Sequence, residues 1–159
     1  MPKKVEKTNV MRTLDQKKIE HKEYDYGIYE ALSGVEVAKI LGIEEERVFK
    51  TLVTQGASKE YYVFVIPVAE ELDLKKAAKA VSEKSIAMIK SKDLLGLTGY
   101  IHGGCSPIGM KKQFKTTVDE TAELWDSIVF SAGKIGYQVE MPLDSLKEVI
   151  PLSTADLTV

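Results

Sequence analysis

The residues of this sequence best suited to chemistry lie in a loop of glycine and small polar residues between Thr98 and Lys112. Four of the chain's 11 glycines fall within this loop, and a proline, Pro107, follows Ser106. Glycine tolerates positive φ and lets backbone N–H groups approach a ligand, while proline restricts itself and the residue before it. The loop could therefore direct backbone donors at an oxyanion or a phosphate. An ordinary connection between two elements is the alternative interpretation.

A second unusual residue is Lys50, which lies in a predicted strand over residues 48–54. Apolar side chains occupy both faces of this strand, so neither face obviously belongs to water. A lysine in such a strand must find an anionic partner, extend to an edge or lose its charge. A functional role for Lys50 is therefore one interpretation of this pattern.

The other familiar catalytic arrangements are poorly supported. Cys105 and His102 could form a thiol nucleophile and its base, but no orienting carboxylate is evident nearby, and a lone cysteine is more often a buried thiol. The serine elbow G-x-S-x-G and the phosphate loop G-x-x-x-x-G-K-[ST] are both absent. With one cysteine and two histidines, we expect neither a protein-only metal site nor a cofactor. A lysine and a backbone-rich loop remain, which together could orient an acyl or phosphoryl group electrostatically.

Composition predicts a single soluble domain over residues 1–159. The chain is 44% hydrophobic, without an apolar run near the length of a membrane span. Its charged start, Met1–Lys7, is not followed by the apolar segment of a secretion signal, so we expect a cytoplasmic protein.

Charge is distributed unevenly along the chain. The net charge is −2, yet the segment from Lys75 to Lys115 contains nine lysines and two acidic residues. A lysine-rich segment in an acidic protein suggests a local anionic partner such as an RNA backbone. A solvated helix face is the alternative interpretation.

The patterning predicts an α+β domain built on a mixed, largely antiparallel sheet. Helices are predicted at residues 8–18, 33–42, 72–81, 121–125 and 142–150, with a brief turn at 91–96 closed by Gly96. Strands are predicted at residues 19–26, 48–54, 61–67, 85–89, 116–119, 127–131 and 136–141. Thr8 or Asn9, Ser33, Asp73 and Asp144 are predicted caps, and Leu74 is predicted to face inward.

Several motifs in order along the chain resemble the YbaK/EbsC family of free-standing aminoacyl-tRNA deacylases, which are related to the editing insertion of bacterial prolyl-tRNA synthetases. They are Val48–Leu52, Leu72–Ala78, Thr98–Gly109 and Ser131–Lys134, and the resemblance extends from about residue 7 to residue 150. It implies a mixed sheet or barrel surrounded by helices, with a pocket for the aminoacylated 3′ end of tRNA.

The resemblance also implies roles for individual residues. Lys50 would be the essential lysine that contacts the terminal adenosine, and Gly103, with Gly104, Ser106 and Pro107, would form the loop whose backbone holds the aminoacyl carbonyl. Tyr26 and Ser131 would line the pocket. Gln138 stands where close members of the family carry aspartate, and Ser33 where they carry phenylalanine. The lysines expected to guide tRNA are Lys75, Lys76, Lys79, Lys111 and Lys112.

By this resemblance the protein would clear mischarged Cys-tRNA(Pro), with Cys-tRNA(Cys) as a second substrate. The ester would be cleaved by the substrate's own thiol or by water, without a protein nucleophile. Two alternatives stay open: an Ala-tRNA(Pro) deacylase, and a binding module for tRNA or a synthetase that has no turnover. Aminoacylated tRNA and prolyl-tRNA synthetase are the expected partners, and neither DNA nor a membrane is expected.

Overall fold

The computed structural model describes residues 6–159, so the first five residues of the charged start lie outside the described part. The helices are α1 (Asn9–Gln16), α2 (Gly34–Leu41), α3 (Leu74–Ala80), α4 (Ser91–Thr98) and α5 (Leu143–Val149). The strands are β1 (Lys22–Asp25), β2 (Phe49–Gly56), β3 (Tyr61–Pro67), β4 (Ile86–Met88), β5 (Lys115–Asp119), β6 (Ile128–Ser131), β7 (Tyr137–Met141) and β8 (Leu152–Ala155). Single 3₁₀ turns span Glu45–Arg47 and Glu120–Leu124.

The strands form two sheets, with the orders β1-β7-β6 and β4-β2-β3-β5-β8. The pairings β3–β5 and β5–β8 are parallel, and the other four are antiparallel. The prediction of a mixed, largely antiparallel α+β domain is therefore confirmed. The barrel alternative is not realised, because β4 and β8 end the larger sheet without pairing with each other. An isolated bridge between Val48 and Val129 connects the two sheets.

Helix ends follow local sequence signals in most cases. The Thr8 side chain accepts a hydrogen bond from the Met11 amide and caps α1. Ser33 and Glu36 form the predicted capping box of α2, which ends at Gly42 with φ +68°. Asp73 accepts hydrogen bonds from two amides of the first turn of α3. These caps satisfy backbone donors that have no partner inside a helix.

Four details of the prediction were wrong. The stretch after Lys90 is the full helix α4, which continues past Gly96 and ends at Gly99 with φ +84°. Leu74 is 42% exposed, because it lies in the first turn of α3 before the buried face begins. Asp144 does not cap α5, whose first turn follows Pro142 without a side-chain cap. Strand β8 was not predicted, since its sequence, Leu-Ser-Thr-Ala, has little apolar alternation.

The main core lies where α1 and α5 pack against the two sheets, and it holds fully buried residues such as Met11, Leu14 and Phe130. A second core packs α3 against the other face of β3 through Phe64, Ile66 and neighbouring side chains. Strand β2 therefore has apolar layers on both sides, as its sequence predicts. Its first half is nevertheless accessible along one edge, because β4 pairs only with Thr54, Gln55 and Gly56.

Candidate functional site

A cavity of about 320 Å³ opens beside this free edge of β2. Its walls come from the start of β2, the segment before and into α2, the glycine loop, and the ends of β6 and β7. The apolar part of the lining is supplied by Leu32, Val37, Val48, Phe49, Leu52, Val68 and Leu94. The volume is in the range of small-molecule sites, which are mostly apolar with a few polar groups.

Six of the residues that the family resemblance assigns to the site line this cavity: Tyr26, Ser33, Lys50, Gly103, Ser131 and Gln138. They come from segments up to 112 residues apart in the chain (26 to 138), so the fold has brought them together. Gly104, Ser106 and Pro107 do not line it. They are buried residues of the loop, and the Ser106 hydroxyl accepts a hydrogen bond from the Ile108 amide.

Lys50 is half-buried at the cavity wall, and its amino group forms no hydrogen bond or salt bridge with residues 6–159. Burial lowers the pKa of Lys50, and the nearby charges of Glu71 and Glu70 offset this effect only in part. A lysine held without a close counter-ion is prepared to bind an anionic group that enters from outside.

The backbone of the glycine loop approaches the cavity at Gly103, which has φ +88°. A Cβ atom at this position would lie 3.3 Å from the Ala31 Cβ and 3.7 Å from the Ile135 side chain. Gly104 donates a hydrogen bond to the Ile101 carbonyl, but within the described chain the amides of Gly103 and Cys105 donate none to another backbone group. Backbone donors left unpaired beside a cavity can stabilise a developing negative charge on oxygen.

The hydroxyl and thiol groups around the cavity are not activated as nucleophiles. Burial raises the pKa of the Cys105 thiol to about 12, so the thiol stays protonated at neutral pH. No hydrogen bond joins Cys105 to His102 in the part of the chain that the structure describes. The Ser131 hydroxyl accepts a hydrogen bond from the Gly133 amide and thereby holds the β6–β7 turn.

Three other polar residues shape the walls. The Tyr26 hydroxyl accepts a hydrogen bond from the Gly136 amide at 3.1 Å, which ties the segment after β1 to the same turn. The Ser33 hydroxyl accepts a hydrogen bond from the Glu36 amide as the cap of α2. Gln138 is 7% exposed. Its side-chain amide makes no hydrogen bond among residues 6–159 and is available to a ligand.

Sequence reasoning missed the threonine of the β2 edge. Thr51 lines the cavity beside Lys50, and its hydroxyl is buried without a hydrogen-bond partner in the described residues. Neighbouring residues of a strand such as Lys50 and Thr51 point to opposite faces, but both line this cavity because it lies at the edge of the strand. The edge is open because β4 pairs with only three residues of β2. This limited pairing was not evident from the sequence.

The five predicted tRNA-guiding lysines lie outside the cavity. Lys75, Lys79, Lys111 and Lys112 are exposed, and the Lys112 amino group lies 6.0 Å from the centre of the Phe114 ring. Lys76 differs, since its amino group donates hydrogen bonds to the Asp156 carboxylate and to the Thr158 carbonyl.

Among residues 6–159, one cluster of side chains that could hold a metal ion lies away from the cavity, at Asp15, His21 and Glu23. The Lys7 amino group lies among these side chains, 2.7 Å from a Glu23 oxygen and 3.1 Å from an Asp15 oxygen. The ammonium therefore offsets part of the charge of the two carboxylates and connects the segment before α1 to β1.

Comparison with known proteins identifies the family. The family model for the aminoacyl-tRNA editing domain matches residues 30–149, a span that contains Lys50, the glycine loop and Gln138. The chain belongs to the aminoacyl-tRNA editing domain family.

One relative of this editing domain is a protein of Enterococcus faecalis provisionally named Cys-tRNA(Pro)/Cys-tRNA(Cys) deacylase EbsC. The two are 48% identical over 154 residues, which cover 96% of this chain and 94% of the relative.

Solved structures share the fold at lower identity. The crystal structure of a trans-editing enzyme provisionally assigned to prolyl-tRNA synthetase is 21% identical, with a TM-score of 0.79 over 96% of this chain and 98% of the other. A crystal structure of a hypothetical protein is 19% identical, with a TM-score of 0.84 over 94% of this chain and 99% of the other. In residues 6–159 the editing domain has no helix long and apolar enough to cross a membrane.

Proposed function

We propose that this editing domain is a deacylase that cleaves the ester bond of mischarged Cys-tRNA(Pro), and that it also accepts Cys-tRNA(Cys). The observation that carries the proposal is one cavity that combines a lysine, loop amides and a glutamine amide without partners among residues 6–159, and that shows no activated nucleophile in that part of the chain. The relative named for the same two substrates supports the choice of amino acid.

In this proposal the protein positions and polarises the ester. Lys50 contacts the phosphate or ribose of the terminal adenosine, since its charge forms no ion pair within the part of the chain that the structure describes. The amides of Gly103 and Cys105 donate hydrogen bonds to the aminoacyl carbonyl oxygen and stabilise the negative charge that develops there. Tyr26, Ser33, Ser131 and Gln138 line the space for the amino-acid side chain and the ribose.

The attacking atom comes from outside the protein. Either the cysteine thiol of the substrate attacks its own carbonyl carbon, or a bound water does. In the first case the carbon–oxygen ester bond breaks, the ribose oxygen receives the thiol proton, and a cyclic thioester leaves. In the second case the products are free cysteine and tRNA. Holding the reacting atoms close together supplies much of the rate in either route.

The test is a deacylation assay on Cys-, Ala- and Ser-charged tRNA(Pro) at catalytic enzyme concentration. We expect rapid loss of the cysteine ester, and loss of this activity in Lys50→Ala. Lys17→Ala removes an exposed lysine at the end of α1 and serves as the matched control. Preference for the alanine ester would favour the Ala-tRNA(Pro) deacylase, and binding without turnover would favour a binding module. Full activity of Lys50→Ala would contradict the role that the proposal gives to Lys50.

We further propose that the choice of tRNA depends on prolyl-tRNA synthetase and that the protein acts in the cytoplasm, where tRNA is charged. Exposed lysines bind the phosphate backbone and do not distinguish bases, so the chain needs another source of selectivity. Adding the synthetase should increase the rate on Cys-tRNA(Pro) relative to Cys-tRNA(Cys). If the ratio of the two rates did not change, the proposed dependence on the synthetase would be contradicted. The proposed deacylase activity would not be affected by that result.

A further inference from the structure

A second cavity among residues 6–159 is larger than the one that Lys50 lines. It has a volume of about 620 Å³ and lies on the other side of the glycine loop. Its functional groups are three tyrosines and three charged side chains: Tyr29, Tyr100, Tyr137, Glu6, Asp25 and Lys134. Nothing in the deacylase mechanism above uses them.

The two cavities share one thin wall. Ile101 lines the larger cavity, and the next residue, His102, lines the site cavity. The loop packs directly on the β6–β7 turn, since a Cβ atom on Gly104 would lie 3.2 Å from the Ile135 nitrogen. The two cavities are therefore separated at this point by about one residue's thickness of the loop.

The larger cavity offers aromatic faces at its rim and wall. Tyr29 is 54% exposed, and its ring lies 5.8 Å from the Tyr137 ring, centre to centre. The Tyr100 hydroxyl donates a hydrogen bond to the Ile108 carbonyl, which fixes that ring as a wall. Ile101, which is 53% exposed, adds an apolar surface. Tyrosine rings arranged in this way are typical of sites on which unpaired nucleobases stack.

The charges in the cavity select the kind of base. Lys134 forms a salt bridge of 3.2 Å with Glu6, so these two charges cancel. Asp25 remains, and its oxygens accept hydrogen bonds from the Tyr29 hydroxyl and the Gly27 amide. A carboxylate can accept about four hydrogen bonds, so Asp25 has capacity for another donor. The cavity therefore repels a phosphate but suits a base with an exocyclic amino group, and a carboxylate is the usual acceptor for the amino group of cytosine.

A positive charge lies just outside. The stem of Lys111 runs along Gly99, where a Cβ atom would lie 3.3 Å from the Lys111 Cγ, and Gly99 lines the cavity. An exposed lysine at that rim can bind a phosphate while the base occupies the interior.

We propose that this second cavity binds the cytidine that precedes the terminal adenosine of tRNA, with the base stacked against Tyr29 and its amino group donating to Asp25. The inference rests on the proposed function, because it takes the terminal adenosine to lie in the site cavity, and in every tRNA that adenosine follows a cytidine. Ester chemistry and recognition of the preceding base are thus divided between the two sides of one loop.

The test uses probes that cannot be cleaved, in which cysteine is joined by an amide to 3′-amino-adenosine. One probe is the nucleoside alone, and two others carry a cytidine or a uridine on its 5′ side. By calorimetry we expect the cytidine probe to bind about tenfold more tightly than the uridine probe, as one base-specific contact permits. Asp25→Asn should abolish this ratio, since an amide can pair with either base. Tyr29→Ala should bring the cytidine probe close to the affinity of the nucleoside alone.

Asp144→Asn is the matched control, because it removes one carboxylate that is 95% exposed on α5 and should leave the cytidine-to-uridine ratio unchanged. Thermal melting of each variant verifies that it is folded. Equal binding of the two dinucleotide probes to the unmodified protein, or a ratio that survives Asp25→Asn, would overturn the inference. Failure of the deacylase proposal would be seen separately, as an intact ester on Cys-tRNA(Pro) whatever the probes show.

Discussion

Arg47 and Glu140 form an ion pair of 2.7 Å in which the glutamate side chain is only 6% exposed. Glu140 also accepts hydrogen bonds from the hydroxyls of Tyr24 and Ser127. The network joins β1, β7 and the turn before β2, and it lies one strand repeat from Gln138 on the same face of β7. A buried carboxylate with three donors holds together the elements that frame the cavity.

Glu140 is expected to make stability depend on acid pH. Burial alone would raise the pKa of Glu140, but the hydrogen bonds from Ser127, Tyr24 and Arg47 outweigh it and lower the pKa from 4.5 to about 2. Its stabilising contribution is therefore fully present above pH 4.5 and is lost as the pH falls towards 2. Urea unfolding at several pH values should show a steep loss of stability in this window for the unmodified protein, and a flatter one for Glu140→Gln.

Breaking the same pair from the other side should be costly at neutral pH. Arg47→Met leaves the Glu140 charge buried without its cation, and we expect a loss of about 3 kcal/mol in the free energy of unfolding. Arg47→Lys, which keeps a charge but not the planar fork, should recover part of it. Equal stability of all three proteins at pH 7 would contradict this role.

Lys50→Met should abolish deacylation and at the same time stabilise the fold. Because the folded protein lowers the pKa of Lys50, folding disfavours its charged form, and removal of the charge should increase the free energy of unfolding. The same lowered pKa predicts that activity declines with rising pH earlier than for an ordinary lysine. Chemical denaturation and a pH–rate profile measure the two effects. If Lys50→Met were less stable than the unmodified protein, the claim that folding disfavours the charged form of Lys50 would be contradicted.

Gly103→Ala should damage activity far more than Cys105→Ala. The positive φ of Gly103 costs a residue with a side chain about 1–2 kcal/mol, and the new Cβ would press on Ala31. Cys105 has a protonated, buried thiol, and its backbone amide survives the change to alanine. The ratio of kcat/KM for the two variants on Cys-tRNA(Pro) is the measurement. If Cys105→Ala reduced kcat/KM more than Gly103→Ala, the result would favour an enzyme in which the Cys105 thiol is the nucleophile.

The lysines should differ in how they affect binding of tRNA. Lys111→Ala and Lys112→Ala each remove an exposed charge, and each should reduce the slope of log affinity against log salt by about 0.7–0.9. Lys76→Ala should change this slope less, since its amino group is already held by Asp156 and Thr158. Titrations at four salt concentrations separate the cases. Equal slopes for all three variants would argue against a role of the Lys111–Lys112 rim.

Local signals in the sequence were sufficient for most elements, because caps, turns and β-branched runs act over a few residues. The capping box at Ser33, the strand 61–67 and the hairpin around Gly133 are examples that the structure confirms. Strand β8 escaped prediction because its place depends on pairing with β5, 36 residues earlier at Val118 and Thr154. The larger cavity was not predicted either, because it also depends on residues that are distant in sequence. Its tyrosines, Tyr29, Tyr100 and Tyr137, show no common pattern along the chain. Their roles, like those of the site residues, stay predictions until the variants are measured.

The parallel pairing of β3 with β5 also dictates the order in which the site can form. Lys50 lies in the β2–β3 hairpin, whose turn connects Gln55 to Tyr61 and needs only neighbouring residues. Gly103 lies in the long crossover that must close before Val63 can pair with Thr116. Hairpins form in microseconds, whereas contacts between distant residues are slow to form. A refolding chain should therefore possess its lysine strand well before it possesses a pocket, and recovery of activity should lag behind the first appearance of sheet structure.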